Sequence, residues 1–452
     1  MTPGGPPLIR EQDLPLLVDL YELAMAQAYW SEGMHERAVF SLFFRDMPEH
    51  RNFVLACGQR NICEVLENLR FTDEHISRLR QMNRFQEGFL EWLRGFRFTG
   101  TVRAVPEGTP VFPQEPLLEI EAPIAEAQLL ESLVMNYVHL ESVLASKAVR
   151  VALAARGRSV ADFGLRRMHG VDAGHRSVRA YRLAGLSATS NVLAGLDFGL
   201  EVTGTMAHSF VQAYPVELEA FKVYATLYPG TTLLVDTYDS RRAVRRIVEW
   251  LKNDPDARVG AIRLDSGDLG AEARDCRKIL DDAGYPGIKI VASGGLDEYG
   301  IARLVEEGAP IDAFGVGTSI GVAVDSPSLE LAYKLTQYAG EPKMKSSSGK
   351  VSFPGAKQVF RQFDSSGRVS CDTVGLSHEQ LDGEPLLDVI MTDGRIVDGA
   401  IPPLDEQVRQ AGARMRALPE QLLGIEPAEP LTVIISDELR ELQKETFARV
   451  SV

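Results

Sequence analysis

The sequence is poor in the residues that build metal and disulfide frameworks. It has four cysteines in 452 residues, Cys57, Cys63, Cys276 and Cys371, with no CxxC pair among them. That scatter argues against a zinc ribbon or a disulfide scaffold and fits reduced thiols. Histidine is also scarce, at eight, with no HExxH and no close His/Cys cluster, so a zinc centre is not expected. No apolar run reaches the roughly 18 residues of a membrane-spanning helix. The start, MTPGGPPLIREQDLPLLVDLYELAMAQAYW, lacks the basic flank and apolar core of a secretory signal. Positive charge is in deficit: 63 acidic against 48 basic residues give a formal charge of −15, which disfavours nucleic acid as the main partner. A local basic pocket for a small anion remains compatible with that balance. Low-complexity sequence is confined to KSSSGK (345–350), expected as a polar loop. The expectation is a cytoplasmic globular protein of two or three domains, since the length exceeds one ordinary core.

What is present is a rhythm. SVADFG (159–164), LEVTGT (200–205), TLLVDTYD (232–239), VGAIRLDSGD (259–268), IKIVASGG (288–295) and IDAFGVGT (311–318) are short apolar runs ending in polar residues or glycine. Helical patterns separate them. In SRRAVRRIVEWLKND, Val244, Ile247, Val248 and Leu251 fall on one stripe. LDEYGIARLVEEG repeats the pattern and ends on Gly308, suited to a C-terminal cap. Alternating strands and helices imply a parallel sheet, doubly wound or closed as a barrel. Residues 1–135 instead mix helices with Pro-Gly turns and alternating segments, the pattern of an antiparallel α+β domain. The expected division is 1–135, a 136–340 barrel, and a 341–452 tail that packs on the N-terminal domain.

Parallel α/β folds bind ligands at the C-terminal ends of their strands. Here those ends carry Arg166, Thr205, His208, Asp236, Asp239, Asp265, Asp268, Gly294, Gly295, Gly317 and Thr318. Turns alone also call for Gly and Asp, but acids, a base and paired glycines in successive loops exceed that demand. VASGG followed by FGVGTS suits a phosphate cradled by backbone N–H groups, because glycine permits close approach. Arg263 and Asp265 of IRLDSGD share a strand face and suit Mg²⁺ beside an anion-binding guanidinium; an internal ion pair and an N-cap at Asp268 are the alternative. In GTMAHSFVQAYP the small neighbours leave His208 open as core residue, metal ligand, proton shuttle or nucleophile. His169 and His175 flank a glycine-containing stretch expected as an exposed loop.

Familiar signatures are near misses. FGVGTSIG has Ile320 where a dinucleotide fingerprint needs its third glycine, and KMKSSSGKVS has Met344 where a P-loop needs its first. LDSGD lacks the glycines of a nucleophile elbow.

With those residues in view, the chain resembles the nicotinate phosphoribosyltransferases. The likeness rests on LLVDLYELAMAQAY, VFSLFFRDMPEHRNFVLACG, DFGLRR, TSNVLAG, GTMAHSFV, LLVDTYD, IRLDSGDL, FGVGTS, AYKL and PGAKQVFR, in that order along nearly the whole length. The resemblance implies an irregular α/β barrel with an N-terminal sandwich-like domain. It implies transfer of a phosphoribosyl group from phosphoribosyl pyrophosphate to nicotinate, coupled to ATP hydrolysis and needing Mg²⁺, in NAD biosynthesis. His208 then matches the phosphoacceptor histidine and Asp236 the residue expected to orient its ring. Tyr21 and Phe163 would sandwich the pyridine, with Thr205 and Arg263 at the nicotinate carboxylate. Arg45 and Arg166 would meet pyrophosphate, Gly294, Gly295, Gly317 and Thr318 the 5-phosphate, and Asp265 the metal or ribose. Tyr21 reaching a neighbouring subunit implies a homodimer. The alternatives are a nicotinamide-using relative, an FMN-dependent barrel oxidoreductase and a non-catalytic binding protein.

Overall fold

A computed structural model describes residues 9–346 and 352–450. The polar loop expected at KSSSGK therefore falls mostly outside the described residues. The chain divides into two compact units. One holds the N-terminal residues through Val143, Ser328–Leu422 and the residues from Ala428 onward. The other holds Leu144–Pro327 with Leu423–Pro427.

The second unit carries the parallel sheet. Among the described residues it has seven strands in the order Glu201–Val202, Ala188–Thr189, Ser159–Asp162, Ala313–Val316, Lys289–Ala292, Val259–Leu264 and Thr231–Leu234. Every pairing between them is parallel, giving a curled sheet with helical crossovers. Three of its longer helices begin at an aspartate that the sequence supplies as a cap. Asp239 accepts the Arg242 N–H at 2.7 Å to start Ser240–Asn253, and Asp268 accepts the Ala271 N–H at 3.0 Å to start Leu269–Asp282. Asp297 accepts the Gly300 N–H at 2.7 Å to start Glu298–Glu306. A cap of this kind contributes about 1 kcal/mol. The stripe Val244, Ile247, Val248 and Leu251 is buried, and Gly308 lies just past its helix at φ 64°. His169 is exposed in a loop as expected, but His175 lies half-buried on a helix. Val171–Leu183 is helical because Val178 and Tyr181, three positions apart, bury one face.

The first unit is built on an antiparallel sheet ordered Glu341–Pro342, Leu331–Tyr338, Arg37–Phe44, Leu118–Pro123, Thr101–Ala104, Asp388–Thr392 and Arg395–Ile396. Arg37–Phe44 is buried at every position after the first, as an interior strand requires. C-terminal strand Asp388–Thr392 pairs with Thr101–Ala104, so the tail completes the N-terminal sheet. The expected boundary near 340 does not coincide with a unit edge, because Leu331–Tyr338 pairs with Arg37–Phe44. Glu119, fully enclosed, ties the same pieces together. It accepts the Ser41 hydroxyl at 2.6 Å and the Lys357 amide at 3.0 Å, and pairs with Arg103 and the Lys357 ammonium. These partners hold its carboxyl below the usual carboxylate range despite burial. No described helix is long and apolar enough to cross a membrane.

Helix Leu20–Ser31 and helix Glu131–Ala154 meet through a buried acid. Glu22 accepts from the Ser132 N–H and hydroxyl, and burial pushes its carboxyl up to about 7. Between about 4.5, its ordinary value, and 7 the folded chain keeps a proton that the unfolded chain releases. That contribution is full at the acid end and is lost as pH rises through 7. Glu22→Gln should flatten this component. Urea midpoints of the two proteins, measured across that interval, should converge toward the acid end and separate toward neutrality, with the variant more stable.

Candidate active site

The strand ends of the parallel sheet gather most of the polar residues picked out in the sequence. Arg263, near the end of Val259–Leu264, is the hub. Its Nε donates to Thr205 Oγ1 at 2.9 Å, and one terminal nitrogen donates to Asp265 Oδ1 at 2.8 Å and Ser293 Oγ at 3.0 Å. The other terminal nitrogen donates to the Met206 carbonyl at 3.1 Å. Burial lowers its pKa, opposed by Asp265 and Asp236 and reinforced by Arg166. A largely enclosed cation with four directed bonds is a rigid anchor.

His208 stands beside this hub with its side chain 41% exposed. Its Nδ1 lies 3.1 Å from Thr237 Oγ1 and its Nε2 lies 3.8 Å from Asp265 Oδ2. Asp236, expected to orient the ring, makes no hydrogen bond to it among the described residues. Asp236 Oδ2 is taken by the Asp265 N–H at 2.8 Å and the Ser266 hydroxyl at 2.7 Å, so this carboxylate fixes the neighbouring loop. The hydroxyl of Thr237 is the hydrogen-bond partner of the ring instead. Strand Thr231–Leu234 has ended before these residues, so strand alternation does not decide which of them faces the ring.

The glycines act by close approach. A side chain at Gly294, where φ is 88°, would place its Cβ 1.8 Å from the Asp265 carbonyl oxygen. The twin-glycine turn is thus pressed onto the Asp265 loop. At Gly315 a Cβ would come within 2.4 Å of the Phe163 ring, and at Gly317 within 3.2 Å of the Phe163 carbonyl. Phe163 therefore lies over the neighbouring strand end, steadied by its N–H on the Val316 carbonyl at 2.8 Å. Behind it Asp162 is buried, accepting from Gly164 N at 2.8 Å and Thr189 Oγ1 at 2.7 Å. Arg166 is exposed in the short turn Leu165–Arg167 and makes no hydrogen bond or ion pair among the described residues. Thr318 is exposed at the start of Thr318–Gly321.

Two expected residues belong to the other unit. Tyr21 is exposed on Leu20–Ser31. Arg45 follows Arg37–Phe44, its guanidinium carbon 5.4 Å from the Phe43 ring centroid and its Nε and Nη2 enclosed without hydrogen-bond partners among the described residues. Sequence reasoning missed Thr237, Ser266 and Ser293, all of which sit next to acids or glycines it had singled out. Small hydroxyls at strand ends carried no signal of their own.

Asp236 Oδ1 is enclosed with no hydrogen-bond partner among the described residues. Together with Asp265 it fits Mg²⁺, which takes one or two carboxylates and completes its shell with water and substrate phosphates.

Comparison with known proteins identifies the family. Residues 16–139 match the nicotinate phosphoribosyltransferase N-terminal domain family. A nicotinate phosphoribosyltransferase of Mycobacterium tuberculosis is 50% identical over 421 residues, covering 92% of this chain and 90% of that protein. One of Bacillus subtilis is 40% identical over 391 residues, covering 84% of this chain and 79% of that protein. The crystal structure of the human nicotinic acid phosphoribosyltransferase superposes with a TM-score of 0.84 at 29% identity, over 94% of this chain and 99% of that one. This chain belongs to the nicotinate phosphoribosyltransferase family.

Proposed function

We propose that the chain joins nicotinate to phosphoribosyl pyrophosphate, giving nicotinate mononucleotide and pyrophosphate for NAD biosynthesis, with ATP hydrolysis coupled through phosphorylation of His208. The observation that carries this reading is the pairing of an anchored, largely enclosed Arg263 with an accessible imidazole on one rim. A fixed guanidinium matches the carboxylate of nicotinate, whereas an amide substrate would call for an acidic partner.

The pyridine nitrogen attacks the anomeric carbon, its lone pair forming the new C–N bond as the C–O bond to pyrophosphate breaks and takes its electrons away. The nitrogen carries no proton, so no general base is needed. Phe163 and Tyr21 offer faces to the ring. Arg45 and Arg166 meet the charge of the leaving pyrophosphate, and the Gly294–Gly295 and Gly317–Thr318 backbones cradle the 5-phosphate. Mg²⁺ held by Asp236 and Asp265 would neutralise phosphate charge when bound. With Nδ1–H donated to Thr237, the His208 lone pair at Nε2 is presented to a phosphoryl group.

A homodimer accounts for exposed apolar surface on each unit. Leu17, Leu20, Tyr21 and Met25 are exposed at one place, Val192, Leu193 and Leu196 at another, with Leu196 72% exposed. Patches of this kind mark interfaces. The dimer would bring Tyr21 to the partner's site, in the cytoplasm.

Product analysis with nicotinate, phosphoribosyl pyrophosphate and Mg²⁺ tests the scheme. Wild type should be stimulated by ATP, and His208→Ala should keep slow basal transfer without that stimulation; an ATP-independent wild type would remove the phosphohistidine. Arg263→Lys should raise the KM for nicotinate about 10- to 100-fold, as loss of a charged hydrogen bond worth about 1.5–3 kcal/mol requires. Leu196→Asp should halve the mass seen by sedimentation and lower turnover together; a wild-type monomer with full activity would refute the shared site.

A further inference from the structure

The parallel-sheet unit carries a network of four charges, three of them buried, that the chemistry above does not use. Lys147 and Arg150 lie one helical turn apart on Glu131–Ala154. The Lys147 side chain is 2% exposed and its ammonium bonds two carboxylates, Glu298 and, at 2.7 Å, Asp325. Arg150 donates to Glu298 at 2.8 Å, to the Tyr299 hydroxyl at 3.1 Å and to the Ile425 carbonyl at 2.8 Å. Burial alone would raise the Glu298 carboxyl, yet these two cations hold it below its usual value.

The two carboxylates come from two different turns. Glu298 is the first residue of Glu298–Glu306, three positions after Gly295. Asp325 follows Thr318–Gly321, the short helix that opens after Gly317. Between Gly321 and Asp325 the backbone passes through Ala323 at φ 44°, a conformation non-glycine residues seldom adopt and that persists only when its surroundings hold it. The Tyr181 hydroxyl, donating to the Ile320 carbonyl at 3.3 Å, is a second hold on that segment.

We infer that Lys147 is a positioning residue, its buried ammonium bolting the segment after Gly294–Gly295 to the segment after Gly317–Thr318 and so setting the span of the phosphate cradle. The inference rests on the reading of those turns as the 5-phosphate site. Buried ion pairs give little net stability against apolar replacements, so a network of four charges here is better explained by the geometry it imposes. A cradle whose two halves drift binds the phosphate more weakly without touching the nicotinate subsite.

The test uses Lys147→Met and the milder Asp325→Asn, whose carboxylate is nearer the surface and whose loss leaves the Glu298 pairs intact. A displacement of order 1 Å at a binding group costs up to about 100-fold. We expect Asp325→Asn to raise the KM for phosphoribosyl pyrophosphate about tenfold and to weaken inorganic phosphate binding in calorimetry by a similar factor. The KM for nicotinate and the melting temperature should hardly move. Lys147→Met, where it folds, should show the same split, and the double variant should be no worse than Lys147→Met alone. Gly317→Val serves as the control on the cradle. If Gly317→Val raises that KM while Asp325→Asn leaves it and phosphate affinity unchanged, the clamp is wrong and the cradle stands. If Gly317→Val also has no effect, the cradle reading falls and the clamp with it. Melting depressed by Asp325→Asn with KM unchanged would make the network purely structural.

Discussion

A guanidinium that must keep its charge while largely out of water sets the terms for this site. Arg263 satisfies that demand with Thr205, Asp265, Ser293 and the Met206 carbonyl, which come from the chain after three different strands. Leaving a buried cation unpaired costs several kcal/mol, so each of these partners is held in place by the same requirement. Asp265, fixed in this way, is the wall onto which the Gly294 turn folds, at a distance no side chain tolerates. One charge thus determines where the acid, the hydroxyls and the first glycine turn sit. His208 is placed by its neighbours on the same scaffold, through Thr237 on one side and Asp265 on the other.

The rim aspartates divide into two kinds by position. Asp236 and Asp265 come within two residues of strand ends on the rim, whereas Asp239 and Asp268, three residues later, cap the helices that follow. The loops are short, so a strand end and a helix start compete for the same few residues. An acid is useful at both places for different reasons: at the first it meets cations and donors, at the second it satisfies orphan amide N–H groups. The repeat of this three-residue spacing in consecutive units is why so much acid accumulates on the face we propose to bind phosphates.

The strand–helix rhythm was legible in the sequence because the helices are amphipathic and end on readable signals, such as the Ser240–Asn253 stripe and Gly308. Most of the rim was legible too, since the strand ends are where polar residues interrupt apolar runs. The ring-orienting partner was not. Asp236 and Thr237 are adjacent, the strand has already ended, and only the path of an irregular backbone decides which of them meets the imidazole. The Val171–Leu183 helix was hidden for a related reason: Gly170 and Gly174 imitate a loop while burial of Val178 and Tyr181 overrides their preference.

Lys147 illustrates a deeper limit. In ESVLASKAVRVALA its lysine and arginine look like the solvated edge of an apolar helix, the usual place for such residues. Their partners, Glu298 and Asp325, lie about 150 residues or more away and look like ordinary loop and helix-start acids. Nothing local distinguishes a buried tie from a surface charge, because the distinction lies in what the crossover helix is packed against. Catalysis through fixed dipoles and amides depends on groups that do not have to reorganise as charge develops. Backbone amides at glycine turns are intrinsically mobile carriers of that function, so rigidity has to be supplied from behind. A buried ammonium shared between the segments that follow the two turns supplies it without occupying any of the face that substrate must reach.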